Sequence, residues 1–335
     1  MRFVGTTPTT SPSVTHIIPG YISVSGVTSL GDDVFVMRGS RVEVYDAATF
    51  TLQRCLEIPG LGSYSYGLAV CACNKCLYAS DWHNSCVHRV ELLASNATMK
   101  WSVENRPAGL TMNSANNLIV LSKWERKLQE FTTCGTLLRN IQLQTDIEQP
   151  VGVVEVCSGK FAVSYEGSLH RVCLVDVNVV KGGIATILGR YGGHKGSGLA
   201  MMNHPRGLAI DKHGNILIAD SGNNRLFVLN HSLTSAHNMS VSVDGGLNGP
   251  SSLWYDKSRG RLYVGAEGRV VVIDHVKDFT HGRPSRFVSW CGRPLSRMLA
   301  FSYSPPPMGA GTWGAGWATA HPGKNQGGHG PPWKY

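Results

Sequence analysis

The chain has 335 residues, of which 42% are hydrophobic and 16% are charged, and its formal net charge is +9. Charged residues make up roughly 25% of an average soluble domain, so this composition argues against a coiled coil and against a highly charged disordered protein. No run of about 18 apolar residues occurs, so the sequence predicts neither a transmembrane helix nor a membrane partner.

Residues 1–19 are rich in Thr, Ser and Pro and lack the apolar core of a secretory signal peptide. We therefore expect a flexible N-terminal segment over residues 1–19 and a cytoplasmic location. The nine cysteines are an odd number, and without a secretory signal free thiols are the simplest interpretation of them.

A pattern of short strands recurs along residues 20–280. Each unit opens with Gly or Ser, often just after a Pro, and continues through an apolar strand, a tight turn and two further strands. The opening residues are Gly26, Gly67, Gly109, Gly152, Gly207 and Ser252. They are 41, 42, 43, 55 and 45 residues apart, which indicates an internal repeat.

The second and third strands of each unit are short apolar or alternating segments. In chain order they are predicted at 33–37 and 41–45, 76–79 and 86–91, 118–121 and 127–131, 160–164 and 170–175, 216–219 and 225–229, and 261–264 and 269–273. The absence of a 3.6-residue period excludes a helical solenoid. Six antiparallel units of this length predict an all-β, six-bladed β-propeller.

Two further features of the propeller are predicted from spacing and composition. The long interval contains residues 182–198, of which seven are Gly, and we expect a flexible loop between blades there. It is not a phosphate-binding loop, because no hydroxyl residue follows Lys195. We expect residues 21–25 to complete the last blade as its outer strand, since closing the ring removes exposed sheet edges.

Residues 203–230 form the most regular unit. Its characteristic residues are Asn203, His204, Pro205, Gly207, Leu208, Ala209, Asp220, Asn223, Asn224 and Arg225. This unit resembles an NHL repeat, and weaker matches extend the resemblance over about residues 20–280. The resemblance implies a six-bladed propeller. It also implies that Asp220 and Arg225 are a structural pair that ties their hairpin to the neighbouring blade.

NHL propellers occur in tripartite-motif E3 ubiquitin ligases, where they recruit substrates or RNA. No RING, B-box or coiled coil is recognisable in these 335 residues, so ligase chemistry is not expected. The resemblance implies a non-catalytic recognition scaffold for a protein partner, with a link to ubiquitin ligation as one form of that function. Binding of single-stranded RNA is the alternative.

An enzyme is the main rival class, because some propeller lyases and lactonases hold a metal in the central channel. Such a site needs His, Asp or Glu from several blades, but among the residues that flank the opening prolines His204 is the single histidine. A second candidate metal site, for zinc, consists of Cys71, Cys73, Cys76 and Cys86 with His83 and His88. Buried structural thiols explain these cysteines better. We therefore expect no catalytic residue, metal or cofactor.

A binding surface is predicted where basic and aromatic residues lie near blade openings and hairpin turns. These residues are Arg206, Arg106, Tyr66, Trp124, Lys123 and Trp254. Arg206 is the first candidate, because its guanidinium suits a carboxylate, a phosphate or a flat ring. The alternative is that Arg206 is a solvated side chain paired with a carboxylate such as Glu155.

Residues 281–335 differ in composition from the repeats. They contain ten Gly, eight Pro and six basic residues, and no acidic residue. This composition predicts a disordered, low-complexity basic tail. It leaves a charge of +3 on residues 1–280, which favours a protein partner over RNA.

Overall fold

The structure is a computed structural model, and it describes residues 12–93, 96–181 and 183–274. The predicted basic tail lies outside the described residues. Within the described ranges the fold is all-β, with one short 3-10 turn at Ser221–Asn223 and no α-helix. None of the described segments is a helix of the length and apolar character needed to span a membrane.

Four of the sheets have four antiparallel strands each. One contains β2 (Gly26–Leu30), β3 (Asp33–Arg38), β4 (Arg41–Asp46) and β5 (Leu52–Glu57). The next contains β6 (Leu68–Cys71), β7 (Cys76–Asp81), β8 (Cys86–Glu91) and β9 (Thr98–Ser102). A third contains β18 (Pro205–Ile210), β19 (Ile216–Asp220), β20 (Arg225–Leu229) and β21 (Ala236–Met239). The last contains β22 (Ser252–Asp256), β23 (Arg261–Ala266), β24 (Arg269–Asp274) and, at its outer edge, β1 (Ser13–Pro19).

The fifth sheet has eight strands. Its first half contains β10 (Pro107–Met112), β11 (Leu118–Ser122), β12 (Lys127–Phe131) and β13 (Leu137–Gln142). Its second half contains β14 (Pro150–Cys157), β15 (Lys160–Glu166), β16 (His170–Lys181) and β17 (Ile184–Gly193). A single parallel pair, Gln142 with Ile184, joins the halves. The arrangement is propeller-like, but it consists of five sheets and not of six separate four-stranded ones.

The first strands of the repeats, β2, β6, β10, β14, β18 and β22, pack side by side, and β22 returns to β2. They surround a central channel of about 1080 Å³. Because each meander alternates in direction, the hairpins between second and third strands lie at the end where these innermost strands begin. We call this end the top face, and the opposite end the bottom face.

Glycine is required where the innermost strands approach one another. A Cβ added at Gly67 or Gly109 would lie 3.0 Å from the carbonyl oxygen of Ala108 or Val151, respectively. At Gly207 the backbone of Ser251–Leu253 would be 2.8 Å away. The sixth opening residue is Ser252, and its Oγ accepts a hydrogen bond of 2.9 Å from the backbone N–H of Val27.

The prediction of a flexible loop at residues 182–198 is wrong for most of its length. Strands β16 and β17 form a long antiparallel hairpin, with His170 opposite Gly193 and Asp176 opposite Thr186. The high β-propensity of Ile184, Thr186 and Ile187 favours a strand here, despite the low β-propensity of the glycines that follow. This segment is therefore the outer strand of its meander.

The N-terminal part of the chain does pair with the last sheet, but through other residues than predicted. The outer strand is β1, with Ser13 opposite Asp274 and Pro19 opposite Arg269, and not residues 21–25. Strand β1 also lies inside the segment 1–19 that the sequence suggested was flexible. Ile18 is 1% exposed and packs in a core cluster, whereas Tyr21 is fully exposed. Burial of Ile18 therefore anchors β1 in the core, and Tyr21 lies beyond the end of the strand.

Removal of β1 tests how far ring closure stabilises the fold. Deletion of residues 1–19 exposes the edge of β24 and the cluster around Ile18. We expect the Tm to fall by about 5 °C or more, because 1 kcal/mol corresponds to about 2–4 °C in a chain of this size. Deletion of residues 1–11, which keeps β1, is the control. Equal melting temperatures for the two deletions would contradict the closure.

Substitution of one opening glycine tests the close approach of the innermost strands. Gly207→Ala places a methyl group against the backbone of Ser251–Leu253, which has little room to move. We expect a loss of about 1–3 kcal/mol in the free energy of unfolding, measured by urea denaturation. Gly193→Ala is the matched control, because no heavy atom lies within 4 Å of its added Cβ. Similar losses in both variants would refute the account.

Candidate binding site on the top face

Three of the predicted binding residues line the mouth of the channel. Tyr66 leads into β6, Lys123 begins the hairpin between β11 and β12, and Arg206 is the second residue of β18. Arg106, just before β10, and Trp124, next to Lys123, lie in neighbouring top-face loops, and both are exposed. The structure therefore brings five of the six predicted residues to one face.

Glu166 contacts several basic side chains at the mouth of the channel. Its carboxylate is 10% exposed and accepts hydrogen bonds from Lys123 Nζ at 2.9 Å and from His204 Nδ1 at 3.0 Å. Arg206 Nε lies 3.7 Å from Glu166 Oε2. The side chain of Arg206 is 40% exposed. One carboxylate thus holds three side chains, one from the hairpin between β11 and β12 and two at the start of β18.

The surroundings of Glu166 set its charge. Burial alone would raise the pKa of this carboxyl, but Lys123, Arg206 and His204 outweigh burial and hold the pKa below its ordinary value of 4.5. His170 accepts a hydrogen bond of 2.9 Å from the backbone N–H of His204, and burial lowers the pKa of His170. Glu166 is therefore ionised at neutral pH, next to an uncharged His170.

Aromatic rings form a connected cluster beside the channel mouth. Tyr66 and Trp82 meet edge to face with ring centroids 5.2 Å apart, and the guanidinium of Arg106 lies 5.6 Å from the centroid of Trp82. Tyr64 contacts His83 in the same geometry, with centroids 4.9 Å apart. Such pairs combine a large apolar area with a defined orientation, which suits a recognition surface.

Exposed large hydrophobic side chains concentrate on the top face. Among the described residues, its loops carry Tyr21, Ile22, Tyr64, Tyr66, Trp124, Leu199 and Met201. The loops of the bottom face carry Leu93, and the other exposed large hydrophobic residues lie on strands. A surface that leaves so many apolar side chains in water is typical of an interaction site.

Trp254 does not lie with the other predicted binding residues. It is the third residue of β22, and its indole Nε1 donates a hydrogen bond of 2.8 Å to Ser29 Oγ, near the end of β2. Trp254 therefore lies in the channel wall, in the half farther from Arg206, and packs against a core cluster. The sequence could not show this, because it places Trp254 only near the opening of the repeat.

The carboxylate beside Arg206 is Glu166 and not Glu155. Glu155 accepts hydrogen bonds from the backbone N–H groups of Ser114, at 2.5 Å, and Gly159, at 3.0 Å. These partners lie in bottom-face turns, so Glu155 is at the other end of the channel. The sequence suggested Glu155 as a carboxylate that pairs with Arg206, and this suggestion was wrong.

Asp220 and Arg225 form an ion pair, with Arg225 Nε 2.6 Å from Asp220 Oδ2. Asp220 is fully buried. Arg225 also donates to the carbonyl oxygens of Ser197, at 2.7 Å, and Met201, at 2.8 Å. The pair therefore fastens its hairpin to the loop that precedes β18.

The eight described cysteines are free thiols. Cys71, Cys76 and Cys86 are buried and Cys73 is exposed, so the four do not converge as the zinc hypothesis required. In the described part of the chain, the one group with metal-binding geometry combines Cys86 with Asp81 and His88. Cys291 lies outside the described residues.

Trp82, Glu166 and Tyr64 lie at this site but were not among the predicted binding residues. Trp82 and Lys123 follow the second strands of their meanders, and Glu166 ends the second strand of its own. These positions come 14 or 15 residues after Gly67, Gly109 and Gly152. This constant offset identifies Trp82 and Glu166 from the sequence, whereas Tyr64, which precedes Gly67, does not follow it.

Comparison with known proteins supports the fold. Residues 202–229 match the NHL repeat family. No curated protein matches the chain. This family match covers one repeat, so it identifies an NHL repeat within the chain and agrees closely with the resemblance seen at residues 203–230.

Solved structures similar to this chain are β-propellers and proteins of varied function. The Cps50 (Swd1) β-propeller domain from Myceliophteria thermophila has 11% identity and a TM-score of 0.56, over 78% of this chain and 99% of that one. An auxiliary nutrient binding protein from Bacteroides thetaiotaomicron has 10% identity and a TM-score of 0.60, over 76% and 69%. Virginiamycin B lyase from Staphylococcus aureus has 10% identity and a TM-score of 0.54, over 77% and 98%. At these identities the likeness concerns the fold alone.

The Glu166 network predicts a pH-dependent contribution to stability. Because the folded-state pKa is lowered, the contribution is present above pH 4.5 and is lost as the pH falls through the folded-state value. We expect Glu166→Gln to cost about 1.5–3 kcal/mol at neutral pH and progressively less in acid, measured by urea denaturation at several pH values. Glu57→Gln, on exposed β5, is the control. A cost that does not change with pH would contradict the network.

Proposed function

We propose that the chain is a non-catalytic recognition propeller that binds a protein partner on its top face. The supporting observation is the concentration of exposed Tyr, Trp and aliphatic side chains in the loops of that face. Trp, Tyr and Arg dominate the energy of protein interfaces. Arg106, Tyr66, Trp82 and Trp124 supply all three residue types around the channel mouth.

We further propose that the eight-stranded sheet represents two blades, which gives the propeller six. The halves share one parallel pair, whereas strands within each half pair along much of their lengths. Six innermost strands also follow one another around the channel. A rigid ring of this kind would hold the top-face loops in fixed relative positions.

The basic side chains near the channel mouth are paired with carboxylates, and this pairing favours a protein partner over RNA. Lys123 and Arg206 face Glu166, and Lys127 forms an ion pair with Glu104. RNA binding would need side chains of this kind to contact phosphates and release counterions. Cations already neutralised by neighbouring carboxylates contribute less to such binding. Exposed aromatic side chains remain, and these suit a protein surface.

The arrangement of Glu166 supports a non-catalytic function for the channel mouth. One of its oxygens accepts a hydrogen bond from Lys123, and the other faces His204 and Arg206. A general base needs a pKa close to the working pH, whereas the pKa of Glu166 is lowered from 4.5. Glu166 is therefore better suited to holding the loops together than to accepting a substrate proton.

Capture of the partner from native extract tests the proposed surface. With tagged chain as bait, we expect Trp124→Ala and Arg106→Ala each to reduce recovery of the partner by at least about tenfold, or 1.4 kcal/mol. Arg206→Ala should act in the same direction and leave the fold intact, since its side chain is partly exposed. Recovery is quantified by mass spectrometry.

Leu138→Ala is the matched control, because Leu138 lies on outer strand β13 and is 49% exposed, as is Trp124. Equal recovery with the Trp124 and Leu138 variants would contradict the proposed face. Loss of all bound protein after nuclease treatment, with a steep dependence on salt, would favour RNA instead. Copurification of ubiquitin ligase subunits that depends on Trp124 would support the further proposal of a link to ubiquitin ligation.

A further inference from the structure

Asp220, the buried carboxylate of the NHL repeat, has a counterpart in another repeat. This counterpart, Asp81, has no arginine opposite it. On β19 and β20, Asp220 is opposite Arg225. On β7 and β8 the corresponding pair is Asp81 opposite Cys86. Both aspartates are fully buried. Cys86 therefore stands where the NHL repeat has the guanidinium that compensates its carboxylate.

The carboxyl group of Asp81 is fully buried but surrounded by hydrogen-bond donors. It accepts hydrogen bonds from the backbone N–H groups of Gly62, at 2.9 Å, and Asn84, at 3.0 Å, and from Asn84 Nδ2, at 2.8 Å. Three donors directed at one carboxyl group favour its ionised form. An ionised group in the interior normally has a compensating charge close by.

The side chains that bond Asp81 belong to Asn84 and His88, and neither is an arginine or a lysine. His88 is buried, and its Nε2 faces both Asp81 and Cys86. Lys100 is exposed, and it lines a surface pocket of about 620 Å³ together with Cys86, Asn84 and Trp101. The interior thus contains a carboxyl group, an imidazole and a thiol close together, next to an accessible pocket.

Three potential ligand atoms converge on one point. Cys86 Sγ lies 3.5 Å from His88 Nε2, and His88 Nε2 lies 3.2 Å from Asp81 Oδ2. A ring nitrogen has either one hydrogen or one lone pair, so Nε2 cannot donate a hydrogen bond to Asp81 and also accept one from the thiol of Cys86. A nucleophile–histidine–carboxylate triad uses both ring nitrogens, so this arrangement is not a triad.

The same spacings fit a tetrahedral metal ion. Zinc bonds of about 2.3 Å to sulfur and about 2.0–2.2 Å to nitrogen and oxygen place S and N about 3.5 Å apart, and N and O about 3.4 Å apart. We propose that Asp81, Cys86 and His88 bind Zn²⁺, with water from the adjoining pocket as the fourth ligand. Cysteine and histidine favour zinc over magnesium or calcium, which prefer oxygen ligands.

Charge and protons balance in such a site. Cys86 releases its thiol proton to solvent, and His88 keeps its ring proton on Nδ1 so that Nε2 is free to coordinate. The thiolate and the Asp81 carboxylate together neutralise the divalent ion. The hydrogen bonds from Gly62 and Asn84 orient the carboxylate, as supporting bonds do in other metal sites.

Metal titration of the full chain tests the proposal. After treatment with EDTA, we expect calorimetry to show one equivalent of Zn²⁺ bound with proton release, and Co²⁺ to give a thiolate-to-cobalt absorption band. Loss of a hydrogen bond that supports a metal ligand lowers metal affinity by about 10- to 100-fold. Cys86→Ala removes a ligand itself, so we expect it to weaken zinc binding by more than that. Cys73→Ala, which removes an exposed thiol, should bind as the wild type does.

A second variant keeps the proposal testable if Cys86→Ala unfolds. Cys86→Arg restores the residue of the matched repeat, and the adjoining pocket offers room for its side chain. We expect it to fold, to lose zinc binding, and to lose the rise in Tm that Zn²⁺ produces in the wild type. Zinc binding that is unchanged in Cys86→Arg, or absent from the folded wild type, would overturn the proposal.

Discussion

The close approach of six innermost strands around the channel is the constraint on which the rest of this structure depends. At Gly67, Gly109 and Gly207 the next strand lies so near that a Cβ would be only 2.8–3.0 Å from its backbone. Because the strands meet at this distance, the sheets behind them pack face to face and bury almost all of their second and third strands. The loops above the ring therefore have fixed anchor points but few packing constraints of their own.

Buried polar contacts then fasten those loops to the rigid sheets. Asp220 with Arg225, Asp81 with His88, and Glu166 with Lys123 each lie in or beside a hairpin between a second and a third strand, and each contacts a preceding loop or a neighbouring meander. Asp220 and Asp81 both receive hydrogen bonds from the backbone and from asparagine side chains, so their further partners can differ: Arg225 bonds Asp220, whereas His88, two residues beyond Cys86, bonds Asp81. This tolerance lets individual repeats acquire different chemistry, as the cluster around Cys86 illustrates.

The repeated features were predictable from the sequence, and the features confined to single repeats were not. Opening glycines and apolar strands recur at a constant offset, so β7, β8, β12 and β20 could be placed within one or two residues. Strands β1 and β17 were misplaced, because an outer strand contacts only one neighbour and its sequence is less restricted. Likewise Tyr66, Lys123 and Arg206 could be grouped because they lie near blade openings and hairpin turns. The position of Trp254, and of Glu166 beside Lys123 and Arg206, depends on how neighbouring meanders meet.

The proposal that a protein partner binds the top face is the central claim, and photo-crosslinking tests it directly. A photoreactive phenylalanine analogue placed at position 124, 106 or 138 in turn reports which surface lies against bound protein. The account predicts crosslinks to one common partner from positions 124 and 106, both on the top face, and none from position 138 on β13. Crosslinks from position 138 alone would place the partner on the outer strands and contradict the account.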